Sequence, residues 1–211
     1  MTRYQLINIL IARRGYKSYL EIGVDQGQCF RQIKCEKKVG VDPYIGSDRS
    51  NDVPEKWKEE IDKEYRNGPA THVMTSDAFF EQNTDTFDII FIDGLHEAWQ
   101  VEKDIRNTLD CMSLNGLVVV HDCLPLTKEA QRVPRGDVWG WNGDAWRAVV
   151  KVQMDESIAV KTVDTDQGCA ILSLEWDVSG FDVADFTWET FNANRAELMN
   201  IITVSEFLRI A

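Results

Sequence analysis

The stretch from Tyr19 to Asp42 constrains the fold of this chain more than any other part of the sequence. It has the order of a buried strand, a turn with Gly23 and Gly27, a short helix, and a second buried strand ending in Asp42. Glycine permits a tight turn and lets a ligand approach the backbone closely. An acid that ends the second strand of a β-α-β unit is placed to accept hydrogen bonds from ribose hydroxyls. The spacing therefore predicts a binding site for an adenosine-containing ligand.

This turn lacks the three-glycine fingerprint of dinucleotide-binding folds, because three residues of other types separate Gly23 from Gly27. The fingerprint holds a pyrophosphate, and nothing in the turn is typical of a pyrophosphate site. An NAD-dependent oxidoreductase or epimerase is therefore the weaker hypothesis. The plainest alternative is an ordinary β-α turn followed by a solvated aspartate.

Two short motifs in this stretch resemble those of a known enzyme family. Glu21-Ile22-Gly23-Val24-x-x-Gly27 and Gly40-Val41-Asp42-Pro43 are similar to motif I and the acidic loop of the class I S-adenosylmethionine (SAM)-dependent methyltransferases. The resemblance implies that Glu21, Gly23 and Gly27 line the methionine part of SAM and that Asp42 binds its ribose.

The rest of the sequence alternates strand and helix patterns, which predicts an α/β fold. Phe87–Ile92 is the clearest central strand, since a nearly continuous apolar run suits a parallel strand covered on both faces. We predict a Rossmann-like, seven-stranded, mostly parallel sheet with helices on both faces. The last two strands, at 158–163 and 169–174, are joined by a short turn and should form an antiparallel hairpin.

We predict one domain over residues 1–211, whose core at 15–175 carries the resemblance. Outside it lie an N-terminal helix over 2–14 and a C-terminal extension. Further predicted features are a helix from Pro54 to Asn67, a helix over 96–112 stopped by Asn115-Gly116, a loop over 123–142, and a helix capped by Asn142. Trp139 and Trp141 make that loop a candidate lid over SAM or a surface for an acceptor ring; packing against the core is the alternative.

Polar residues follow several predicted strands at the carboxyl ends, where open α/β sheets bind their ligands. They are Glu21, Asp42, Ser76-Asp77, Asp93 with His96, and His121-Asp122. By the resemblance, Ser76 and Asp77 contact the adenine of the cofactor. A helix N-cap at Asp77 is the alternative, and both roles can hold at once.

The most distinctive run is Phe91-Ile92-Asp93-Gly94-Leu95-His96. It is similar to the Ile-Asp-Gly-x-His signature of a methyltransferase subgroup that includes small-molecule and sugar O-methyltransferases. The resemblance implies that Asp93 contacts the cofactor and that Asp93 and Asp122 bind a divalent metal such as Mg²⁺. His121 stands where such relatives often have a second aspartate, and a histidine suits a transition metal better. The alternative is that both acids only orient loops.

Methyl transfer to a hydroxyl requires removal of the hydroxyl proton, and histidine is the usual base near neutral pH. His96 is the first candidate for this role and His121 the second. We predict a SAM-dependent O-methyltransferase of a small-molecule or sugar-like acceptor. A SAM-binding protein without catalysis stays open, as does a non-haem iron hydroxylase, although that chemistry normally sits in a β-barrel.

Composition narrows the class of protein. A net charge of −12 at pH 7 repels phosphate backbones, so nucleic acid is not the expected substrate. The longest apolar runs, such as Leu117–Val120, are too short to cross a bilayer. Five cysteines without a CxxC pair argue against a disulfide framework and favour a reducing cytoplasm. A homo-oligomer is compatible with the sequence.

Overall fold

One twisted sheet positions the carboxyl-terminal strand ends that carry the predicted site. The computed structural model describes residues 1–43, 71–136, 140–154, 158–177, 183 and 185–211. Within them the strands are β1 (Ser18–Ile22), β2 (Lys37–Asp42), β3 (His72–Val73), β4 (Phe87–Ile92), β5 (Met112–Val120), β6 (Ala159–Val163), β7 (Cys169–Ser173) and β8 (Ile201–Ile202). The helices are α1 (Arg3–Arg14), α2 (Ser76–Gln82), α3 (Ala98–Cys111), α4 (Ala145–Gln153), α5 (Trp188–Leu198) and α6 (Val204–Ile210), with a 3₁₀ turn at Phe30–Gln32.

The strand order is β3-β2-β1-β4-β5-β7-β6-β8. All neighbours are parallel except β7, which runs antiparallel to both β5 and β6. The predicted α/β sheet with a C-terminal antiparallel hairpin is therefore confirmed. The described residues form eight strands rather than the predicted seven. The additional strand, β8, has only two residues, too few to show a periodic pattern in the sequence.

The central strands are buried on both faces because their apolar side chains alternate between two cores. Leu20, Ile90 and Val118 belong to the core that packs against α2, α3, α4 and α5. Tyr19 and Ile89 belong to the core that packs against α1 and α6. Since β1, β4 and β5 carry apolar residues on both faces, their only polar side chains near the site come at or just beyond the strand ends.

Some element boundaries differ from the sequence prediction. The helix predicted over 96–112 is α3, Ala98–Cys111. Asn115-Gly116 does not stop it, because β5 begins at Met112, which pairs with Phe87 of β4. The predicted N-terminal helix is confirmed, and it ends at Gly15 in the left-handed conformation, φ +70°. The helix predicted from Pro54 lies outside the described residues. The helices of the described part are all too short or too polar to span a membrane.

One buried charge on α3 makes the stability of this fold depend on pH. Asp104 is 1% exposed, and its Oδ1 accepts a hydrogen bond from Gln100 Nε2 at 2.9 Å. Burial raises the pKa of Asp104 to about 6, although hydrogen bonds from Ser76 and Gln100 act in the opposite direction. The folded chain therefore keeps this proton up to about pH 6, whereas the unfolded chain loses it near the ordinary pKa of 3.8. Because the folded chain holds this proton more tightly than the unfolded chain, the free energy of unfolding falls as the pH rises between these two values.

We expect Asp104→Asn to raise the free energy of unfolding at pH 7 by about 2 kcal/mol, because the amide carries no charge to bury. The difference from the native chain should shrink towards zero at pH 4. Urea unfolding at the two pH values measures it. Asp110→Asn, at an exposed position of the same helix, is the control and should change stability by less than about 0.5 kcal/mol. An Asp104→Asn chain no more stable than the native one at pH 7 would contradict the interpretation.

Candidate functional site

The carboxyl ends of β4 and β5 bring two acids and a histidine together. These strands are parallel neighbours, and Ile92 pairs with Val120, so Asp93 and His121 leave the sheet side by side. His121 Nδ1 lies 3.1 Å from Asp93 Oδ1 and 2.9 Å from Asp122 Oδ2. Asp122 has a positive φ of 59°, which is uncommon for a residue other than glycine. This turn lets the adjacent side chains of His121 and Asp122 meet.

His96 joins this cluster from the segment between β4 and α3. Its Nε2 lies 3.4 Å from Asp93 Oδ1, and its Nδ1 lies 3.3 Å from Asp122 Oδ2. One fifth of its side chain is exposed, whereas only 3% of the His121 side chain is. The structure therefore brings together the four residues that were predicted as base or metal ligand.

Arg3 and Asp166 complete the cluster, and sequence reasoning missed both. Arg3 Nε lies 3.5 Å from Asp93 Oδ2, and the Arg3 backbone N–H donates to Asp166 Oδ2 at 2.7 Å. Asp166 Oδ1 lies 3.9 Å from His121 Nε2. The position of Asp166 could have been predicted from the antiparallel hairpin. Because β7 runs antiparallel to β5, the turn before β7 must lie beside His121, which follows β5. For Arg3 the sequence holds no local signal, since 163 residues separate it from Asp166.

The charges of this cluster stabilise one another. Burial alone would raise the pKa of Asp93, but His121 and His96 hold it well below its usual value. Burial alone would lower the pKa of His121, but Asp93 and hydrogen bonds to neighbouring carboxylates raise it well above its usual value. The pKa of His96 is raised for the same reason. Burial of Asp166 is likewise outweighed by His121 and Arg3, which bring its pKa to about 2.

The glycine turn after β1 lies directly against this cluster. Gly23 has φ +87°, and a Cβ there would lie 2.3 Å from the Asp93 carbonyl oxygen, so only glycine fits. Gly27 also has a positive φ of 71°. Asp42, at the end of β2, accepts a hydrogen bond from the Asp25 backbone N–H at 2.8 Å through Oδ2. The predicted cofactor loop therefore contacts both its acid and Asp93.

Glu21 is a buried neutral group in β1, two residues before Gly23. It is 1% exposed, and the Tyr19 hydroxyl donates to its Oε2. Burial raises the pKa of Glu21 to about 8; the Tyr19 hydrogen bond lowers it and Asp93 raises it further. Glu21 therefore carries a proton at neutral pH. Its predicted contact with the cofactor stays a prediction.

Ser76 and Asp77 contact α3. Gln100 Nε2 lies 3.2 Å from both Ser76 Oγ and Asp77 Oδ1, and Lys103 Nζ donates to Asp77 Oδ2 at 2.6 Å. The N-cap of α2 is Thr75, whose side chain accepts from the Ala78 N–H. The alternative role of Asp77 as N-cap is therefore wrong, while its predicted contact with adenine stays a prediction.

Residues 140–144, which we call the clamp, hold the cluster from outside. The Trp141 ring stacks on His96, with centroids 5.3 Å apart and planes 17° apart. Asn142 Nδ2 donates to Asp122 Oδ1 at 2.8 Å. Asp144 donates its backbone N–H to the His96 carbonyl at 2.9 Å and accepts from Ala98 N–H at 2.7 Å. The prediction that Asn142 caps α4 was wrong, because Asp144 takes the N-cap position and Asn142 binds Asp122. Trp139 lies outside the described residues.

Comparisons with known proteins agree with this architecture. Residues 20–123, just under half of the chain, match the protein-family model described as "Methyltransferase domain". No curated protein is a significant match to the sequence. The matched stretch contains the glycine turn, Asp42 and the four predicted cluster residues, whereas Arg3, the clamp and Asp166 lie outside it.

Solved structures with this fold include three methyltransferases from different organisms. The O-methyltransferase TomG of Streptomyces achromogenes, solved with SAM, is 15% identical with a TM-score of 0.53, covering 81% of this chain and 78% of its own. An S-adenosylhomocysteine-bound methyltransferase from Podospora anserina is 16% identical, with a TM-score of 0.56 and coverage of 81% and 77%. The N-methyltransferase NodS of Bradyrhizobium japonicum is 16% identical, with a TM-score of 0.50 and coverage of 81% and 92%.

The family match and the fold together support the predicted SAM-dependent methyltransferase. Residues 20–123 match the methyltransferase-domain model, and the sheet that contains them has the Rossmann-like fold of methyltransferases. The resemblance seen in the sequence is thus supported at the level of the domain. Because the structures that share the fold include both O- and N-methyltransferases, the fold does not decide which atom accepts the methyl group.

The clamp gives a direct test of how closely His96 is held. Gly143 has φ +61°, and a Cβ there would lie 1.9 Å from the His96 carbonyl oxygen. Gly140 has φ +73°, but a Cβ there would meet only Gln167 Oε1, at 3.6 Å. The two glycines therefore share the same backbone strain and differ in the clash.

We expect Gly140→Ala to cost about 1 kcal/mol of unfolding free energy through its left-handed backbone. Gly143→Ala should cost at least about 2 kcal/mol more, because the backbone of His96 must move. Urea unfolding of both variants measures the difference. Equal losses for the two variants would show that the clamp does not fix His96.

Proposed function

We propose that this protein transfers the methyl group of SAM to a hydroxyl group of a small-molecule or sugar-like acceptor. The observation that carries the proposal is the contact of Gly23 with the Asp93 carbonyl. It joins the loop predicted to bind the cofactor to the Asp/His cluster predicted to activate the acceptor. A methyl donor on the loop would therefore lie next to an acceptor at the cluster, as direct transfer requires.

The cofactor half of the proposal rests on the turn after β1 and on Asp42. The hydrogen bond from Asp25 N–H to Asp42 keeps the acid against the turn, the arrangement expected for binding the ribose of an adenosine-containing ligand. When bound, SAM supplies an electrophilic methyl group on its sulfonium. Both the TomG and the Podospora anserina structures contain SAM or its demethylated product, which supports the same ligand here.

The preference for a hydroxyl acceptor rests on the chemistry of the cluster. A hydroxyl oxygen must lose its proton to become a good nucleophile, and acid-base groups within hydrogen-bond reach supply that help. His96 and His121 are the two predicted bases, and each lies within 3.4 Å of a carboxylate. Because His96 has one fifth of its side chain exposed and His121 only 3%, an acceptor can reach His96. The base assignment stays a prediction.

The residues of the cluster also fit a divalent metal ion. Asp93, His96 and Asp122 each offer one ligand atom, and these atoms lie within 4.8 Å of one another. A bound ion lowers the pKa of a hydroxyl that coordinates it. Arg3 contacts Asp93 Oδ2 and Asn142 contacts Asp122 Oδ1, so each carboxylate keeps its other oxygen turned towards the centre of the cluster.

Two of the alternatives make different demands on the site. An NAD-dependent oxidoreductase needs a pyrophosphate loop, which the sequence lacks, and the antiparallel β7 is not part of the all-parallel dinucleotide fold. A SAM-binding protein without catalysis needs the loop and Asp42 but not the cluster. The four convergent residues Asp93, His96, His121 and Asp122 favour an enzyme over that alternative.

Calorimetric titration with S-adenosylhomocysteine tests the cofactor half. We expect micromolar binding, and Asp42→Asn should weaken it at least about tenfold, because the amide loses the charge that attracts ribose hydroxyls. Asp85→Asn is the control, since Asp85 precedes β4 at the opposite edge of the sheet; it should leave the affinity unchanged. Binding of NAD⁺ in place of S-adenosylhomocysteine would refute the proposal.

Transfer from methyl-labelled SAM to a panel of phenols, sugars and amines tests the acceptor half. We expect labelled product from hydroxyl acceptors, and His96→Gln should lower the rate at least about 100-fold without changing S-adenosylhomocysteine affinity. His72→Gln is the matched control, because His72 lies on β3 and its Nδ1 contacts Thr71. Labelling of amines alone would exclude the O-methyltransferase, and a His96→Gln rate equal to that of His72→Gln would remove His96 from the reaction.

A further inference from the structure

We infer that Gln100 is a positioning residue for the cofactor: it holds the carboxylate of Asp77 where that group accepts a hydrogen bond from the exocyclic amine of adenine. Gln100 lies in α3, outside the motifs on which the sequence prediction of the cofactor site rested. The inference rests on the proposed function for the identity of the ligand. It goes beyond that function because it assigns the choice of purine base to a contact between α2 and α3.

Asp77 lies one strand away from the acid that is predicted to bind the ribose. Asp42 ends β2 and pairs with Val73, the last residue of β3. The Met74 N–H donates to the Asp42 carbonyl at 3.1 Å, and Asp77 follows three residues later. The glycine turn predicted to face the methionine follows β1, on the other side of β2. A ligand with its ribose at Asp42 and its methionine at that turn therefore has its base directed towards the start of α2.

The carboxylate of Asp77 has the chemistry to distinguish adenine from a related purine. The exocyclic amine of adenine is a hydrogen-bond donor, whereas an ionised carboxylate only accepts. The Asp77 side chain is 36% exposed, so a ligand can reach it. Hydrogen bonds from Lys103 and Gln100 lower the pKa of Asp77, which keeps it charged at neutral pH. Hypoxanthine has a carbonyl oxygen in place of the amine, and two acceptors that face each other repel.

Gln100 is buried, and its amide is held from two sides. The residue is 8% exposed, whereas glutamine is mostly found at the surface. Its Nε2 carries two hydrogens and has three acceptors in reach: Asp104 Oδ1 at 2.9 Å, and Ser76 Oγ and Asp77 Oδ1 at 3.2 Å each. Asp104 lies one turn further along α3 and is 1% exposed, so it fixes the amide. The second hydrogen is then directed towards α2.

Lys103 also contacts Asp77 but is less able to fix it. Its Nζ donates to Asp77 Oδ2 at 2.6 Å, and half of the Lys103 side chain is exposed. An exposed ion pair contributes little, because water screens it and a long side chain loses freedom. Gln100 contacts the other oxygen, Oδ1, from a buried position, where an unmade hydrogen bond is costly. Support of this kind keeps a binding group in a defined geometry.

A purely structural role of Gln100 predicts a different result. If Gln100 only joined α3 to α2, its loss would weaken all ligands of the site to the same extent. A positioning role affects ligands according to the atom that they present to Asp77. The ratio of two affinities therefore separates the two roles, because a general loss of stability cancels in the ratio.

The test compares two ligands by calorimetric titration: S-adenosylhomocysteine, and S-inosylhomocysteine, in which oxygen replaces the adenine amine. We expect the native chain to bind the adenine ligand at least about 30-fold more tightly. Asp77→Asn and Gln100→Met should each reduce this ratio at least about fivefold. Gln153→Met is the matched control and should keep the native ratio, because Gln153 is a 1% exposed glutamine of α4 whose Nε2 donates to the Leu198 carbonyl.

Three results would overturn the inference: a native ratio below about threefold, the native ratio retained in Asp77→Asn, or the native ratio retained in Gln100→Met. The first two need no change at Gln100, and Gln100→Asn, whose amide is one methylene too short to reach Asp77, replaces Gln100→Met if that chain fails to fold. The titration also separates the two proposals. A native chain that does not bind S-adenosylhomocysteine refutes the methyltransferase and this inference with it, whereas binding with a ratio that Gln100→Met leaves unchanged refutes only this inference.

Discussion

The ion pair between Asp93 and His121 is the interaction on which the rest of the site depends. A carboxylate that leaves water must have a cation or several donors within hydrogen-bond distance. Asp93 emerges from β4 beside His121 because β4 and β5 are parallel and in register. His121 in turn binds Asp122 at 2.9 Å. With these three side chains in place, His96 lies within 3.4 Å of the carboxylates of both Asp93 and Asp122. Arg3 adds a positive charge beside Asp93, and Asp166 adds a negative charge beside His121.

This dependence ties distant parts of the chain to one place. The cluster draws on α1 through Arg3, on the segment after β4, on the end of β5, and on the turn before β7 through Asp166. Removing one member of a buried ion-pair network leaves the others uncompensated, which costs more than the pair itself contributes. The residues that match the methyltransferase model, 20–123, therefore do not hold the cluster alone. α1 and the turn before β7, which lie outside that stretch, supply Arg3 and Asp166 as further partners of Asp93 and His121.

Local sequence patterns were enough to predict the sheet and the inner residues of the site. Apolar runs such as Phe87–Ile92 identify buried strands, and chain geometry then brings the residues after parallel strands to one edge. Asp93 and His121 could be predicted for that reason. The place of Arg3 in the cluster and the stacking of Trp141 on His96 could not be predicted, because these contacts join segments far apart in the sequence. The predicted start of β5 was wrong for a similar reason. Met112 belongs to the strand because it pairs with Phe87 of β4, and a contact between two strands cannot be read from local residue propensities.

Glu21 and Asp93 show how one edge of a sheet gives two acids opposite states. Both are carboxylic acids on adjacent parallel strands, Glu21 in β1 and Asp93 just after β4. Glu21 lies within the sheet with Tyr19 as its hydrogen-bond donor, and burial raises its pKa to about 8. Asp93 lies beyond the sheet beside His121 and His96, which hold its pKa low. A proton on Glu21 removes a second negative charge from the end of β1, next to the glycine turn, while the charge of Asp93 stays available to the cluster.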